Sequence, residues 1–391
     1  MKMRILRIRI SGLSVYKSDI EIDFYASQRN SEESKQELIQ VNKSIYTNPV
    51  IELAGLNGAG KTITLKLIVF ILSMLNGNSI NRYRSFAQDV KRYMDGESFT
   101  TEVWYALENK IWYLKTEIGV GEDLDHPDET RLVILGEERW AYTKKTTGKT
   151  AWLDSSDYLI QNKRSDEADT MYLPADVSIN GAAVRERTHR IQLVSDIQST
   201  DNNLGMFIKE YPVELIQFLD PNIERLTFEQ QKGAHGQARL KFVNRKEIVM
   251  NEYREVFDYL SSGTIKGLRI FSYALQILKN GGYLVVDELE NHFNLEIVKT
   301  LVGFFQDPQI NIGRGTLIFS THYPELMDVL TRNDAVYILK NTGGITAEKA
   351  SVKLKRNDGI KKSEAFVNDY FEGTAPDYDS YMLLKELIKS L

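Results

Sequence analysis

Cysteine is absent from this 391-residue chain, and glycine and proline are scarce, at 25 and 8 residues. Without cysteine the chain has no disulfide, no thiolate ligand for zinc or an iron–sulfur cluster, and no thiol nucleophile. The low glycine and proline contents exclude a collagen-like or low-complexity protein. A globular protein of a reducing compartment fits these absences, and we therefore expect a cytoplasmic location.

The sequence also lacks a long hydrophobic run. Its longest apolar stretch, Leu67 to Leu75, is interrupted by Ser73 and is about half of what a transmembrane helix needs. Residues 1–10 alternate basic and apolar side chains, unlike the continuous apolar core of a signal peptide. Because Lys and Arg total 49 against 54 acidic residues, the net charge is −5 and gives no general attraction to nucleic acid. We expect a soluble protein with no membrane partner.

Strand-like and helix-like segments alternate along the chain and predict an α/β fold. An apolar strand at 50–54 precedes a helix from Lys61 to Leu75 that is apolar on nearly all sides, so we expect it to be buried on several faces. Residues 98–160, which include all four tryptophans, predict an antiparallel meander. Further predicted elements are a helix at 206–219, strands at 223–229 and 238–249, a helix from Ser262 to Leu278, a strand from Tyr283 to Val286, a helix at 294–305 and a strand from Thr316 to Ser320.

The strongest motif lies between the strand at 50–54 and the helix that follows it. The segment from Gly55 to Thr62 reads Gly-Leu-Asn-Gly-Ala-Gly-Lys-Thr and matches G-x-x-x-x-G-K-[ST] at every fixed position. Such a turn points backbone N–H groups at a polyphosphate, and the helix N-terminus adds its dipole. Lys61 is expected to reach the β- and γ-phosphates, and Thr62 to bind Mg²⁺. The predicted phosphate-binding residues are Asn57, Gly58, Ala59, Gly60, Lys61, Thr62 and Ile63.

Two acidic residues follow the predicted strand that ends at Val286. Asp287 is expected to hold the metal through water, and Glu288 to polarise the attacking water as a catalytic residue. An apolar strand that ends in two acids is more often a structural feature when it stands alone. A phosphate-binding motif in the same chain favours the functional interpretation here.

A serine pair precedes the predicted helix that begins near residue 262. Ser261 or Ser262 is a natural N-cap, which is the simpler interpretation. Hydroxyl and N–H groups at a helix N-terminus are also suited to a γ-phosphate, and Gly263 allows close approach. Both interpretations stay open on the residues alone.

Taken in order, these motifs and Phe319-Ser320-Thr321-His322 resemble the ATP-binding-cassette (ABC) ATPase head. The Asn57-Gly58 variant is similar to the subgroup of SMC, RecF and overcoming-lysogenisation-defect (OLD) proteins. The resemblance implies an α/β ABC-ATPase head: a mixed, largely parallel P-loop sheet flanked by helices, an antiparallel β-meander and a helical signature lobe. Its approximate sub-regions are 1–97 with the N-terminal strands and P-loop, 98–205 as a β-rich insert, 206–282 as the signature lobe and 283–391 as the C-terminal lobe.

The same resemblance implies roles for the site residues. ATP and Mg²⁺ are the expected ligands, with Thr62 and Asp287 at the metal and Lys61, Glu288 and His322 active in hydrolysis, His322 as the switch histidine at the γ-phosphate. Ser262 and Gly263, with Ser261 beside them, are expected to contact ATP that a second subunit holds, so that ATP drives formation of a homodimer or higher homo-oligomer. Two positions stay open: Gln192, Gln198 and Gln217 compete for the family's glutamine, and Tyr16 is a candidate for stacking on adenine.

The length between motifs narrows the class of ATPase. No coiled-coil arm separates Gly55 from Leu260, and the residues after His322 are too few for the nuclease domain of OLD proteins. The chain resembles stand-alone ATPases of the AAA15 group, many of which act with a separately encoded nuclease or toxin in phage defence. A RecF-like DNA-binding repair ATPase and a regulatory scaffold with structural ATP are the alternatives. The basic run Val352 to Ser363 is a candidate nucleic-acid contact, although such charge runs are more often a solvated or partner-facing edge, which is the favoured interpretation.

Overall fold

The computed structural model describes residues 2–29, 31–122, 130–144, 148–164, 173–184, 189–197, 210–229, 236–355, 359–375 and 378–391, without the side chains of Glu33 and Ala183. Its strands are β1 (Arg4–Ser11), β2 (Ile20–Asp23), β3 (Ile39–Gln40), β4 (Tyr46–Thr47), β5 (Val50–Ala54), β6 (Ser98–Leu107), β7 (Lys110–Glu122), β8 (Thr130–Tyr142), β9 (Tyr158–Lys163), β10 (Leu193–Ser195), β11 (Ile223–Glu229), β12 (Gln237–Phe242), β13 (Ile248–Met250), β14 (Gly282–Val286), β15 (Gly315–Thr321), β16 (Val336–Asn341) and β17 (Ile345–Lys349). The helices are α1 (Glu32–Glu37), α2 (Lys61–Leu75), α3 (Arg84–Tyr93), α4 (Asn180–Ala183), α5 (Val213–Leu219), α6 (Ser262–Asn280), α7 (Leu295–Gln306), α8 (Pro324–Met327), α9 (Ala350–Lys353), α10 (Lys362–Val367) and α11 (Tyr378–Lys389).

Six strands form a largely parallel sheet in the order β10-β14-β15-β5-β16-β17, in which only β17 runs antiparallel to its neighbour. The central strands are buried on both faces, which explains why their sequences are continuous apolar runs rather than alternating ones. Ile51 of β5 lies opposite Ile318 of β15 in this register. The carboxyl ends of β5, β14 and β15 therefore meet at one edge of the sheet.

Helix α2 lies between the two large sheets. Twelve of its residues are buried, and its apolar side chains share one core with Val285 and Ile318 of the parallel sheet and with Phe99 and Leu114 of the antiparallel sheet. The other face of the parallel sheet packs against α6 and α7 in a second core. Burial of α2 between two sheets is why its sequence has no polar face.

The second large sheet is antiparallel, in the order β2-β1-β6-β7-β8-β9. The predicted meander at 98–160 supplies β6 to β9, and the two N-terminal strands β1 and β2 complete the sheet. Together with the parallel sheet and its helices, this arrangement confirms the predicted mixed α/β fold class.

Two predicted elements are wrong in their extent. The strand predicted at 238–249 is a hairpin of β12 and β13, because Asn244 takes a left-handed conformation (φ 58°) that reverses the chain. The helix predicted at 206–219 begins only at Val213, because Glu210 forms a bridge with Thr227 and Pro212 is the N-cap; residues 206–209 lie outside the described part of the chain. Among the helices that the structure describes, none has the length and apolar character needed to cross a membrane.

Candidate functional site

The predicted phosphate-binding loop, Asp287, Glu288 and His322 meet at the carboxyl edge of the parallel sheet. The glycine-rich loop follows β5, Asp287 follows β14, and His322 follows β15. Parallel neighbouring strands bring their ends together, so three segments that are far apart in sequence share one site. This edge is the place where open α/β sheets bind ligands.

The loop that follows β5 forms one wall of an open cleft of about 420 Å³. Gly60 has φ +92°, and a Cβ there would lie 2.3 Å from Cδ1 of Ile345, so both conformation and space require glycine. Asn341 donates a hydrogen bond from Nδ2 to the carbonyl of Gly58 at 3.1 Å, which holds the loop from outside. The cleft is lined by Asn57, Gly58, Ala59, Gly60, Lys61, Thr62, Ile63, Glu288 and His322.

Lys61 begins α2 and turns its ammonium back over the loop. Its Nζ donates to the carbonyls of Gly55 at 2.7 Å and Leu56 at 3.1 Å, and lies 3.1 Å from Nδ1 of His322. Burial lowers the pKa of Lys61 to about 8, although the carboxylates of the site act to raise it. The amine is thus held at the cleft next to acids, where an anionic ligand would restore its full charge.

A hydroxyl and a carboxylate of the cleft contact one another directly. Thr62 donates from Oγ1 to Oδ2 of Asp287 at 2.7 Å, and Ser320 donates to the other oxygen, Oδ1. Asp287 is 5% exposed. Its Oδ1 is held by Ser320 of β15, and its Oδ2 faces the glycine-rich loop. Hard oxygen donors of this kind fit Mg²⁺, which proteins hold with one or two carboxylates plus ligand phosphates. Among the described residues there is no group of three or more His, Asp or Glu that could hold a metal ion.

Glu288 has a strained backbone. Its φ is +47°, a left-handed conformation that costs a non-glycine residue roughly 1–3 kcal/mol unless the surroundings hold it. Its N–H donates to Oγ of Ser320 at 2.7 Å, and its Oε1 lies 3.2 Å from Nε2 of His322. The side chain is 38% exposed, so the carboxylate reaches the cleft and water. An outward carboxylate beside an imidazole can accept a proton from a bound water.

Sequence reasoning missed Glu290. Its Oε1 accepts a hydrogen bond from the backbone N–H of His322, and its charge acts on Lys61. The carboxylate is 6% exposed, and Oε2 has no hydrogen-bond partner within the described residues. An acidic residue two positions after Glu288 is visible in the sequence. Only the folded chain shows that its carboxylate turns inward and holds the backbone of His322.

The serine pair lies outside the cleft of its own chain. Ser261 is the N-cap of α6 and accepts a hydrogen bond from the N–H of Thr264 at 3.0 Å. Ser262 lies 3.2 Å from Nδ1 of His292, and a Cβ on Gly263 would be 2.5 Å from the carbonyl oxygen of His292. The structure therefore joins the serines to the segment after Asp287 and Glu288, but does not bring them to the glycine-rich loop of the same chain.

Of the open candidates, Gln192 lies at the amino end of β10, the edge opposite the cleft, where its carbonyl accepts from Tyr283. Gln217 is exposed on α5, and Gln198 lies outside the described residues. Tyr16 is buried in the core around α2, with its hydroxyl 3.0 Å from Oγ1 of Thr64. Its ring is packed among protein atoms, which makes it a structural residue in this arrangement.

Residues 52–328 match the family described as "AAA domain, putative AbiEii toxin, Type IV TA system". A comparison with curated proteins finds no match. Among solved structures, the SMC head domain from Thermotoga maritima is similar with a TM-score of 0.41 and 11% sequence identity, covering 88% of this chain and 98% of that one.

Proposed function

The chain belongs to this AAA-domain family, which its residues 52–328 match, and from that premise we propose that it binds ATP with Mg²⁺ in the cleft and hydrolyses it. The observation that carries the proposal is the convergence of Lys61, Thr62, Asp287, Glu288 and His322 at the ends of three neighbouring strands. These side chains come from three separate segments, and each has the chemical group that phosphoryl transfer to water needs.

Binding of the triphosphate rests on the loop and Lys61. The ammonium exchanges its two carbonyl partners, Gly55 and Leu56, for phosphate oxygens, which are stronger acceptors because they are charged. Backbone N–H groups at the start of α2 and the dipole of that helix bind the same anion. Thr62 and Asp287 are the residues that would hold Mg²⁺, which when bound neutralises charge on the β- and γ-phosphates.

Hydrolysis requires a base and a group at the γ-phosphate. Glu288 accepts a proton from the attacking water. The oxygen of that water bonds to the γ-phosphorus while the bond from the γ-phosphorus to the leaving oxygen of ADP breaks. His322 lies between Glu288 and Lys61, at 3.2 and 3.1 Å, and so is placed to contact both the carboxylate and the transferred group. Glu290 holds the backbone of His322 in this position.

We further propose that a second copy of the chain contacts the bound ATP. The N-terminus of α6 offers hydroxyl and N–H groups that its own cleft does not use. The likeness of its Leu-Ser-Ser-Gly-Thr sequence to the ABC signature supports a role in trans, with Ser262 and Gly263 closing on ATP bound to the partner copy. ATP binding then promotes dimerisation, and ATP hydrolysis lets the two copies separate. We propose that this cycle controls a separately encoded effector, a nuclease or toxin of a defence system.

The variant Glu288→Gln tests this function. It should keep ATP affinity within about threefold and slow hydrolysis by about a hundredfold or more, the contribution of a positioned base. In the presence of ATP this variant should then accumulate as a dimer, which size-exclusion chromatography would detect. The matched control is Glu296→Gln, an exposed acid on α7 paired with Lys299, which should hydrolyse ATP like the parent protein.

Three outcomes separate the candidate functions. Co-purification of Glu288→Gln protein and ATP with a nuclease or toxin from the native host supports the switch. Salt-dependent DNA binding that tightens with ATP would instead favour the RecF-like alternative. Absence of turnover in the parent protein, with no dimer trapped by Glu288→Gln, would favour structural ATP and contradict the proposal.

A further inference from the structure

Helix α6 contacts the catalytic segment at a second place besides its serines. Lys266 lies one helical turn after Ser262, on the same face of α6, and is 3% exposed. Its Nζ donates a hydrogen bond to the backbone carbonyl of Glu288 at 3.1 Å and lies 5.8 Å from the centre of the Phe293 ring. A buried ammonium thus ends on the main chain of the residue proposed as the base.

The backbone of Glu288 is held from both sides by these contacts. Ser320 accepts from its N–H at 2.7 Å, and its carbonyl accepts from Nζ of Lys266 at 3.1 Å and from the N–H of Asn291 at 2.9 Å. Because φ is +47° at this residue, the conformation persists only where the surroundings fix it. Loss of the Lys266 amine would leave the carbonyl with the N–H of Asn291 alone and let the strained peptide shift, which would move the carboxylate away from His322.

Lys266 is itself fixed in place by its surroundings. The charged groups that face it are Asp196, which follows β10, Arg269 on the next turn of α6, and the carboxylates of Glu288 and Glu290. Arg269 and Asp196 are both nearly fully buried and pair at 3.0 Å, so they attach α6 to the end of β10 next to Lys266. Burial lowers the pKa of Lys266, and these carboxylates oppose that effect.

We propose that Lys266 is a positioning residue that holds Glu288 in its productive orientation and thereby makes hydrolysis depend on the position of α6. This inference rests on the proposed ATPase function. Since Ser262 and Lys266 share one face of α6, a ligand that moves the helix N-terminus also moves the group that fixes the base. A second copy's ATP, bound at Ser262, would in this way adjust the Glu288 of the chain that contributes the serine.

The test compares Lys266→Met with the parent protein. Methionine keeps the apolar stem of the side chain in its buried site but removes the donor. We expect kcat to fall by about ten- to a hundredfold, the cost of misplacing a catalytic group by about 1 Å, while ATP affinity stays within about twofold. Lys266→Arg, which can still donate, should recover most of the rate, and Lys279→Met, at an exposed position near the end of the same helix, should not change it.

A double variant distinguishes positioning from a general structural role. If Lys266 acts through Glu288, then adding Lys266→Met to Glu288→Gln should change the residual single-turnover rate by less than about twofold. Multiplication of the two losses, or a rate for Lys266→Met equal to that of an active parent protein, would overturn the inference. A parent protein without ATPase activity would instead refute the proposed function, so the two failures are distinguishable.

Discussion

The molecule has two elements suited to phosphate, and they are built differently. At the glycine-rich loop, the side chains of Lys61, Thr62, Asp287 and His322 contact one another across three segments of the chain. At the N-terminus of α6, the hydroxyl of Ser261 caps the helix and that of Ser262 meets His292. The first element is a complete cleft, whereas the second is a surface that offers donors to a ligand from outside.

The difference indicates that the two elements contribute to separate steps, nucleotide binding and assembly. The loop contains a buried amine whose pKa is lowered and whose partners are carbonyls that a phosphate can replace. The helix terminus contains only N–H groups, hydroxyls and the dipole, each of which contributes modestly. We therefore expect ATP affinity to depend on the loop, and assembly of two copies to depend on the helix.

The largest effect should come from Lys61→Ala. Removal of the ammonium deletes two or more charge-assisted hydrogen bonds of about 1.5–3 kcal/mol each, so ATP affinity should fall by at least about a hundredfold. Isothermal titration calorimetry measures this directly. Lys66→Ala, which removes an amine one turn further along α2, is the matched control and should bind ATP normally. Normal affinity in Lys61→Ala would refute the assignment of the loop.

Ser262→Arg should weaken assembly, and with it hydrolysis, while sparing ATP binding. The added bulk at the helix terminus should weaken ATP-dependent dimerisation by about thirtyfold or more, the loss typical of an interface hot spot. ATP affinity of the monomer should stay within about threefold, because the cleft does not include this residue. Analytical ultracentrifugation of the variant in a Glu288→Gln background, with Gln276→Arg on the same helix as control, measures the effect. An intact ATP-dependent dimer would contradict the role in trans.

A smaller effect should follow from pH. The pKa of Lys61 is about 8 in the free protein, so the amine loses its proton as pH rises through 8, and binding of phosphate must restore that proton. ATP affinity should accordingly fall with rising pH, by about tenfold between pH 7 and pH 9. Lys61→Arg stays charged over this range and should show a flatter profile. A pH-independent affinity in the parent protein would contradict the lowered pKa of Lys61 as the source of this effect.

The sequence predicted the strands and helices that adjoin each local motif. The segment from Gly55 to Thr62 and the acids Asp287 and Glu288 each lie within one turn and adjoin a strand with a clear apolar signature. Glu290 and Lys266 were missed because their roles depend on contacts across 32 and 22 positions in sequence, with His322 and Glu288. Periodicity reports which side of an element is apolar, but not which polar group meets which.

The hydrophobic pattern of the sequence also does not predict which charged residues are buried. Glu52 lies in the middle of the apolar strand β5, fully buried, and neither carboxylate oxygen has a hydrogen-bond partner in the described part of the chain. Burial raises its pKa, and the nearest opposing charge is Lys362 of α10. Lys362 belongs to the basic run read as a nucleic-acid contact or a solvated edge, yet the structure buries it. Only the packing of α10 on α8 and the sheet explains this position.

Mixing two variants that are each inactive in hydrolysis measures whether two copies of the chain share one ATP site. Lys61→Ala keeps the helix terminus and Ser262→Arg keeps the cleft, so a mixed dimer contains one complete site. When dimerisation is saturated and pairing is random, half of the dimers in an equal mixture are mixed and each has one of two sites, which predicts recovery of about a quarter of the parent turnover. A mixture that hydrolyses ATP no faster than its two components alone would contradict a site shared between copies.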